Sequence, residues 1–250
     1  MRTFKLVLQY DGTGYVGWQR QQAGASIQGL LEDALARIDG RAVTVHGAGR
    51  TDAGVHAEGQ VASVRLETLL DEATLGRAMN ANLPDAIRVM DVAVVPDDFH
   101  ARFSATAKRY EYRIWNGPAC PPFLRLYVWH VPQPLDVDAM RRAAGAVFGE
   151  HDFAAFQGAG STTHTTVRTV TAAEWHGGEP GTPLVFAIAG NGFLRHMVRS
   201  IAGTLVEIGR GWRAPGDMEA LIRSGDRQRV GRTAPACGLF LTEVQYRGQV

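Results

Sequence analysis

Two cysteines, Cys120 and Cys237, are too few for a disulfide framework or a four-cysteine zinc site. No apolar run approaches the ~20 residues that a membrane-spanning helix needs, so no such helix is expected. The opening MRTFKLVLQYDG lacks a small-residue cleavage site, so no signal peptide and a cytoplasmic location are expected. Lysine is nearly missing: Lys5 and Lys108 stand alone, and the other basic residues are arginine. An excess of one charge is missing too, because 26 basic residues face 25 acidic ones and leave a net +1. Overall charge therefore does not announce a polyanionic partner. The eight histidines show no metal-ligand spacing such as H-E-x-x-H, so no metal site is expected. There is no G-x-S-x-G elbow, and Cys120 beside Pro121 has no evident base, which disfavours serine or cysteine hydrolase chemistry.

What is present suits a folded protein. Hydrophobic residues make up 45% of 250 positions and charged ones 20%, which excludes global disorder and allows one large core or two smaller ones. Phe4, Leu6, Leu8 and Tyr10 alternate with polar neighbours and predict a strand. Ser26 is a candidate N-cap for a helix bearing Ile27, Leu30, Leu31, Leu35 and Ile38 on one stripe. A short strand near Val43–Val45, a strand through Val61–Leu66, a helix near Asp71–Asn82 and a strand Ile87–Val95 complete this run. The order is β-α-β-β-α-β, that of ferredoxin-like folds.

The second half is expected to repeat the order. Tyr110, Tyr112 and Ile114 mark a strand, and Asp136–Phe148 has helical spacing through Met140, Ala144 and Val147. Strands Val167–Trp175 and Leu184–Ala189 follow, then a helical stripe of Met197, Ile201, Leu205 and Ile208, and a closing strand Leu239–Tyr246. The expected fold class is α+β: two ferredoxin-like lobes sharing a largely antiparallel central sheet. The lobes are placed at 1–104 and 105–250. An open sheet face flanked by arginine and aromatic residues suits single-stranded or looped RNA. The eight arginines between Arg195 and Arg232 add a weak hint of a polyanion.

The densest unusual segment is Gly47–His56, GAGRTDAGVH, with three glycines around Arg50, Thr51 and Asp52. Its glycines allow close approach of a ligand, but it lacks the G-K-[ST] ending of a phosphate-binding P-loop. An aspartate in such a loop is ordinarily a turn former, a tyrosine on a strand is ordinarily core, and Arg199 on an apolar helix is ordinarily a solvated flank. Ser161, Thr162, Thr163, Thr165 and Thr166 read as a polar connector within Gln157–Thr166.

Five ordered motifs change that weighting. YDGTGYVGWQRQ (Tyr10–Gln21), GAGRTDAGVHA (Gly47–Ala57), FHARFSATAKRYEYRI (Phe99–Ile114), NGFLRHMVRSIAGTL (Asn191–Leu205) and APACGLFL (Ala234–Leu241) together resemble the TruA family of tRNA pseudouridine synthases. The resemblance implies the pseudouridine synthase fold, a homodimer and no cofactor. It implies isomerisation of uridine to pseudouridine at positions 38, 39 and 40 of the tRNA anticodon stem-loop. It puts Asp52 in the place of the catalytic nucleophile, Tyr110 in that of the active-site tyrosine and Arg199 in that of the motif's basic residue. Substrate contacts are expected from Tyr110, from Arg50, from Leu239 and from Gln19 and Arg20 of the first motif. The reaction is redox-neutral, so no redox cofactor is needed. The carboxylate could attack C6 of the ring or C1′, and a glycal-type intermediate stays open. Two other classes compete: an RNA-binding protein without catalysis, and a nucleoside hydrolase, which would release free base.

Overall fold

The structure, a computed structural model, describes residues 1–160, 163 and 165–248. Ser161, Thr162 and His164 of the expected polar connector lie outside the described residues. The fold is α+β. In chain order the elements begin β1 (Arg2–Tyr10), α1 (Ile27–Asp39), β2 (His46–Gly47), β3 (His56–Leu66), α2 (Glu72–Asn82) and β4 (Ile87–Val95). They continue with β5 (Ala105–Asn116), β6 (Trp129–Val131), α3 (Val137–Gly145), β7 (Gly149–Asp152), β8 (Val167–Gly177) and β9 (Leu184–Gly190). The last are α4 (Met197–Gly209), α5 (Asp217–Ser224) and β10 (Leu239–Tyr246). No helix among the described residues is long and apolar enough to cross a membrane.

Two compact units form: Met1–Thr106 with the chain from Phe240 onward, and Ala107–Leu239. The expected boundary, 1–104 against 105–250, keeps the closing strand with the second half. The structure returns that strand to the first unit, because β10 pairs with β3 in parallel, Phe240 opposite His56 and Leu241 opposite Ala57.

In the first unit, β1 lies antiparallel between β3 and β4, and β2 pairs antiparallel with β3. The alternation of β1 does what its pattern predicts, with Phe4, Leu6, Leu8 and Tyr10 all buried. Ser26 caps α1, its Oγ accepting from the Gly29 N–H at 3.2 Å, and the helix ends at Gly40 with φ 73°. Asp71 caps α2 in the same way, accepting from the Thr74 N–H at 2.7 Å. The strand expected at Val43–Val45 is displaced to His46–Gly47. The Val45 N–H donates to Glu32 Oε1 at 3.1 Å and its carbonyl accepts from Gln28 Nε2 at 3.0 Å. Side chains of α1 thus take the bonds that a strand ladder would have used.

In the second unit, β9 runs antiparallel to β5 and to β8, β8 antiparallel to β7, and β6 parallel to β5. The chain departs from a plain repeat of the first half by adding β6, β7 and α5. The helix expected to reach Phe148 stops at Gly145, leaving Phe148 exposed. Helix α4 is the centre of this core: Met197, Ile201, Leu205 and Ile208 are almost wholly covered. Gly203 makes the closest approach, since a Cβ there would sit 1.7 Å from the Arg232 carbonyl oxygen. Glu207 secures the same strip, accepting from Arg213 Nε at 2.6 Å and from the Arg232 N–H at 2.9 Å.

Candidate active site

Asp52 stands half-buried in the turn that joins β2 to β3. The turn closes on itself through the Val55 N–H, which donates to the Asp52 carbonyl at 3.1 Å, and Gly54 takes φ 76°. The first motif seats it from outside. The Trp18 N–H donates to the Thr51 carbonyl at 3.0 Å. At Gly17 an added Cβ would lie 2.6 Å from that oxygen, and at Gly12 one would lie 2.1 Å from the Val55 oxygen. Gly47 is bare for a similar reason: a Cβ would enter the Trp18 ring at 2.4 Å. The two glycine-rich motifs are therefore one packed object, in which missing side chains bring backbone against backbone.

Under this turn lies a buried polar cluster. The Tyr10 and Thr51 hydroxyls share a hydrogen bond at 2.9 Å, and Gln60 Nε2 donates to the Gly49 carbonyl at 2.8 Å and to the Tyr10 hydroxyl at 3.3 Å. Burial pushes the Tyr10 hydroxyl up to about 12, against the pull of those two partners. Arg50 is exposed on the turn. Gln19 and Arg20 are instead tied to α1. Gln19 Nε2 donates to Gln28 Oε1 at 2.6 Å, and the Arg20 guanidinium meets Glu32 at 3.2 Å and Asp33 at 3.1 Å.

The second unit carries the other expected residues. Tyr110 lies on β5 opposite Ile188 of β9, is 7% exposed, and sets its ring edge-on to Phe193 at 5.3 Å and 83°. Arg199 occupies the first turn of α4 and forms a reciprocal pair with Ala234. Its Nε donates to the Ala234 carbonyl at 2.8 Å, and the Ala234 N–H donates back to the Arg199 carbonyl at 3.1 Å. The last motif continues from there. The Pro235 carbonyl accepts from the Tyr112 hydroxyl at 2.8 Å, Gly238 lies against the Tyr112 ring, and Leu239 is buried at the start of β10. Burial holds the Tyr112 hydroxyl well above its ordinary range, partly opposed by the Arg199 and Arg232 charges. Burial also raises the Cys237 thiol.

Sequence reasoning missed Trp18, Tyr10, His56 and Phe193 as parts of these sites. Each sits inside a quoted motif, so motif membership was the available signal, but its contacts are tertiary.

The comparisons with known proteins decide the family. Residues 6–104 and 143–247 match the family model described as tRNA pseudouridine synthase. The chain belongs to the tRNA pseudouridine synthase family. It is thus an enzyme of the isomerase class. It is 46% identical over 255 residues to tRNA pseudouridine synthase A of Syntrophotalea carbinolica, covering 100% of this chain and 98% of that protein. It is 46% identical to the protein of the same name from Solidesulfovibrio magneticus, covering 98% and 92%. The match to tRNA pseudouridine synthase A 1 of Desulfotalea psychrophila is 42%, covering 98% and 100%. A slight structural likeness, TM-score 0.37 at 12% identity, links 95% of this chain to 48% of a chain in a crystal structure of a Cbf5-Nop10-Gar1 complex. Asp52, Arg199 and Leu239 fall inside the segments that the family model matches, and Tyr110 falls between them.

Proposed function

We propose that this enzyme converts uridine to pseudouridine in tRNA, at positions 38, 39 and 40 of the anticodon stem-loop, with Asp52 as nucleophile. The observation that carries the reading is the Asp52 turn: a half-buried carboxylate on a turn that four glycines and Trp18 hold in place. Relatives of the same name over the whole chain length support the substrate. The N1–C1′ bond breaks, the base turns, and a C5–C1′ bond forms while C5 loses its proton and N1 gains one. Nothing is oxidised or reduced. A carboxylate that holds an intermediate while the base reorients divides one hard step into two. Tyr110 offers a ring to a base taken out of its stack, as its edge-on contact with Phe193 fixes the plane of that ring. Arg199 supplies the motif's positive charge, and Arg50, Leu239, Gln19 and Arg20 complete the substrate contacts.

The wider reading keeps the two ferredoxin-like lobes, a homodimer, no small-molecule cofactor and the cytoplasm. In the first unit it is supported by the pairing β4-β1-β3-β2, with α1 after β1 and α2 after β3. The test is release of tritium from C5-labelled uridine in tRNA. Asp52→Asn should lose turnover by many powers of ten while tRNA binding survives, since phosphate contacts set most of the affinity. Near-native turnover in that variant would sink the assignment. Free uracil among the products would point to a nucleoside hydrolase instead.

A further inference from the structure

His56 opens β3, four residues after Asp52, and is 1% exposed. Its ring stacks on Phe240 at 4.6 Å and 22°. The Gly12 N–H points at its Nδ1 and donates at 3.0 Å, and Asp11 Oδ1 lies 3.2 Å from the same nitrogen. In that bond the Nδ1 lone pair is the acceptor and the Gly12 N–H the donor. Asp11 Oδ1 meanwhile accepts from the Thr13 N–H at 2.9 Å, which turns the chain away after Gly12.

Gly12 is also where the first motif touches the far end of the Asp52 turn, its Cα against the Val55 carbonyl. The near end is held by Trp18 on Thr51. One segment, 11–18, therefore grips the turn at both ends, and at the Gly12 end the bond to His56 acts beside the Asp11 N–H, which donates to the Ala86 carbonyl at 2.9 Å. We infer that His56 is a positioning residue: by accepting the Gly12 N–H it locks the first motif onto the Asp52 turn and so sets where the Asp52 carboxylate stands. A reacting group displaced by about 1 Å costs on the order of 10²-fold in rate without changing remote binding contacts. The inference rests on Asp52 as the nucleophile for its kinetic arm, and on geometry alone for its exchange arm.

Two variants separate the acceptor from the ring. His56→Phe keeps a ring against Phe240 and loses the acceptor; His56→Asn loses the ring and keeps an oxygen near the place of Nδ1. Tritium release gives kcat and KM for tRNA, and amide hydrogen exchange at Gly12 and Val55 follows the grip directly. In His56→Phe, kcat should fall by roughly 10–100-fold with KM for tRNA nearly unchanged, as a displaced group acts on chemistry and not on remote binding. Exchange at Gly12 and Val55 should speed up. His56→Asn should restore most of kcat and the protection of Gly12. The inference is overturned by wild-type kcat and protection in His56→Phe, or by an Asn variant no better than the Phe variant. Should His56→Phe fail to accumulate, His56→Asn decides alone: protected Gly12 with near-native kcat supports the inference, and lost protection overturns it. An active Asp52→Asn enzyme would remove the nucleophile assignment, and Gly12 protection in the two His56 variants would still report on the grip.

Discussion

In the first unit, main-chain bonds grip the Asp52 turn from outside, above the side-chain cluster of Tyr10, Thr51 and Gln60. Carbonyls of Thr51 and Asp52 accept from Trp18 and Val55, and bare glycines at 12, 17 and 47 let neighbouring chain and ring close in. In the second unit, Arg199 rides on a buried helix and is tied through its own guanidinium to the Ala234 carbonyl. The first arrangement places these positioning bonds on main-chain atoms. The second makes the side chain a strut as well. Substitutions of Asp52 leave those main-chain bonds in place, whereas substitutions of Arg199 also remove the anchor of the last motif.

The glycines allow that contrast to be broken from either side. Gly203→Ala forces a methyl group onto the Arg232 carbonyl, which is backbone and cannot swing away. A loss of about 3 kcal/mol or more in urea unfolding is expected, at the upper end for overpacking. Gly12→Ala meets the Val55 carbonyl and should cost about 1–3 kcal/mol by the same mechanism, with turnover falling further than stability. Equal damage to turnover and stability in both variants would erase the distinction.

Tyr10 sharpens the comparison through pH. The unfolded chain releases this proton near 10.0, while burial holds it in the folded protein up to about 12. Its stabilising contribution is complete below pH 10 and is lost as pH rises from there to about 12, a loss of about 2–3 kcal/mol. Tyr10→Phe should flatten that part of the stability curve, although Tyr112 and Tyr246, also raised by burial, leave a residual fall. An unchanged alkaline slope would mean that the cluster beneath the turn opens before it titrates.

The smallest effect concerns surface charge. Arg50→Ala should weaken tRNA binding by about 1 kcal/mol and lower the salt slope by about one, the signature of a single phosphate contact. Arg20→Ala should do less, because that guanidinium already meets Glu32 and Asp33. A larger loss at Arg20 would reverse the assignment of the two arginines.

Legibility in the sequence followed how local each feature is. β1, α1 with its Ser26 cap, α2 and β4 were readable because alternation, helical spacing and capping act within a few residues. β2 is two residues long and exists through its pairing with β3; β6 is three residues long and exists through its pairing with β5. No local pattern announces either. α5 follows Pro215 and Gly216 and buries just Met218, Leu221 and Ile222, too brief a stripe to stand out. At the site, motif resemblance pointed to Asp52, Tyr110 and Arg199. It did not reveal that Gly12 meets Val55, that Ala234 clasps Arg199 or that His56 receives Gly12, since these contacts join segments distant in sequence.

The path of the chain has a consequence for synthesis. Residues 107–239 form an unbroken stretch, while the unit before it lacks β10 until residues 240–246 have been made. Domains tend to fold in order of emergence from the ribosome. Here the N-terminal unit starts first and finishes last: the β3 edge at His56 and Ala57 must wait for Phe240 and Leu241 while the whole second unit is translated. In that interval His56 has no Phe240 to stack on, so the ring contact behind the Asp52 turn closes only after the second unit has been translated.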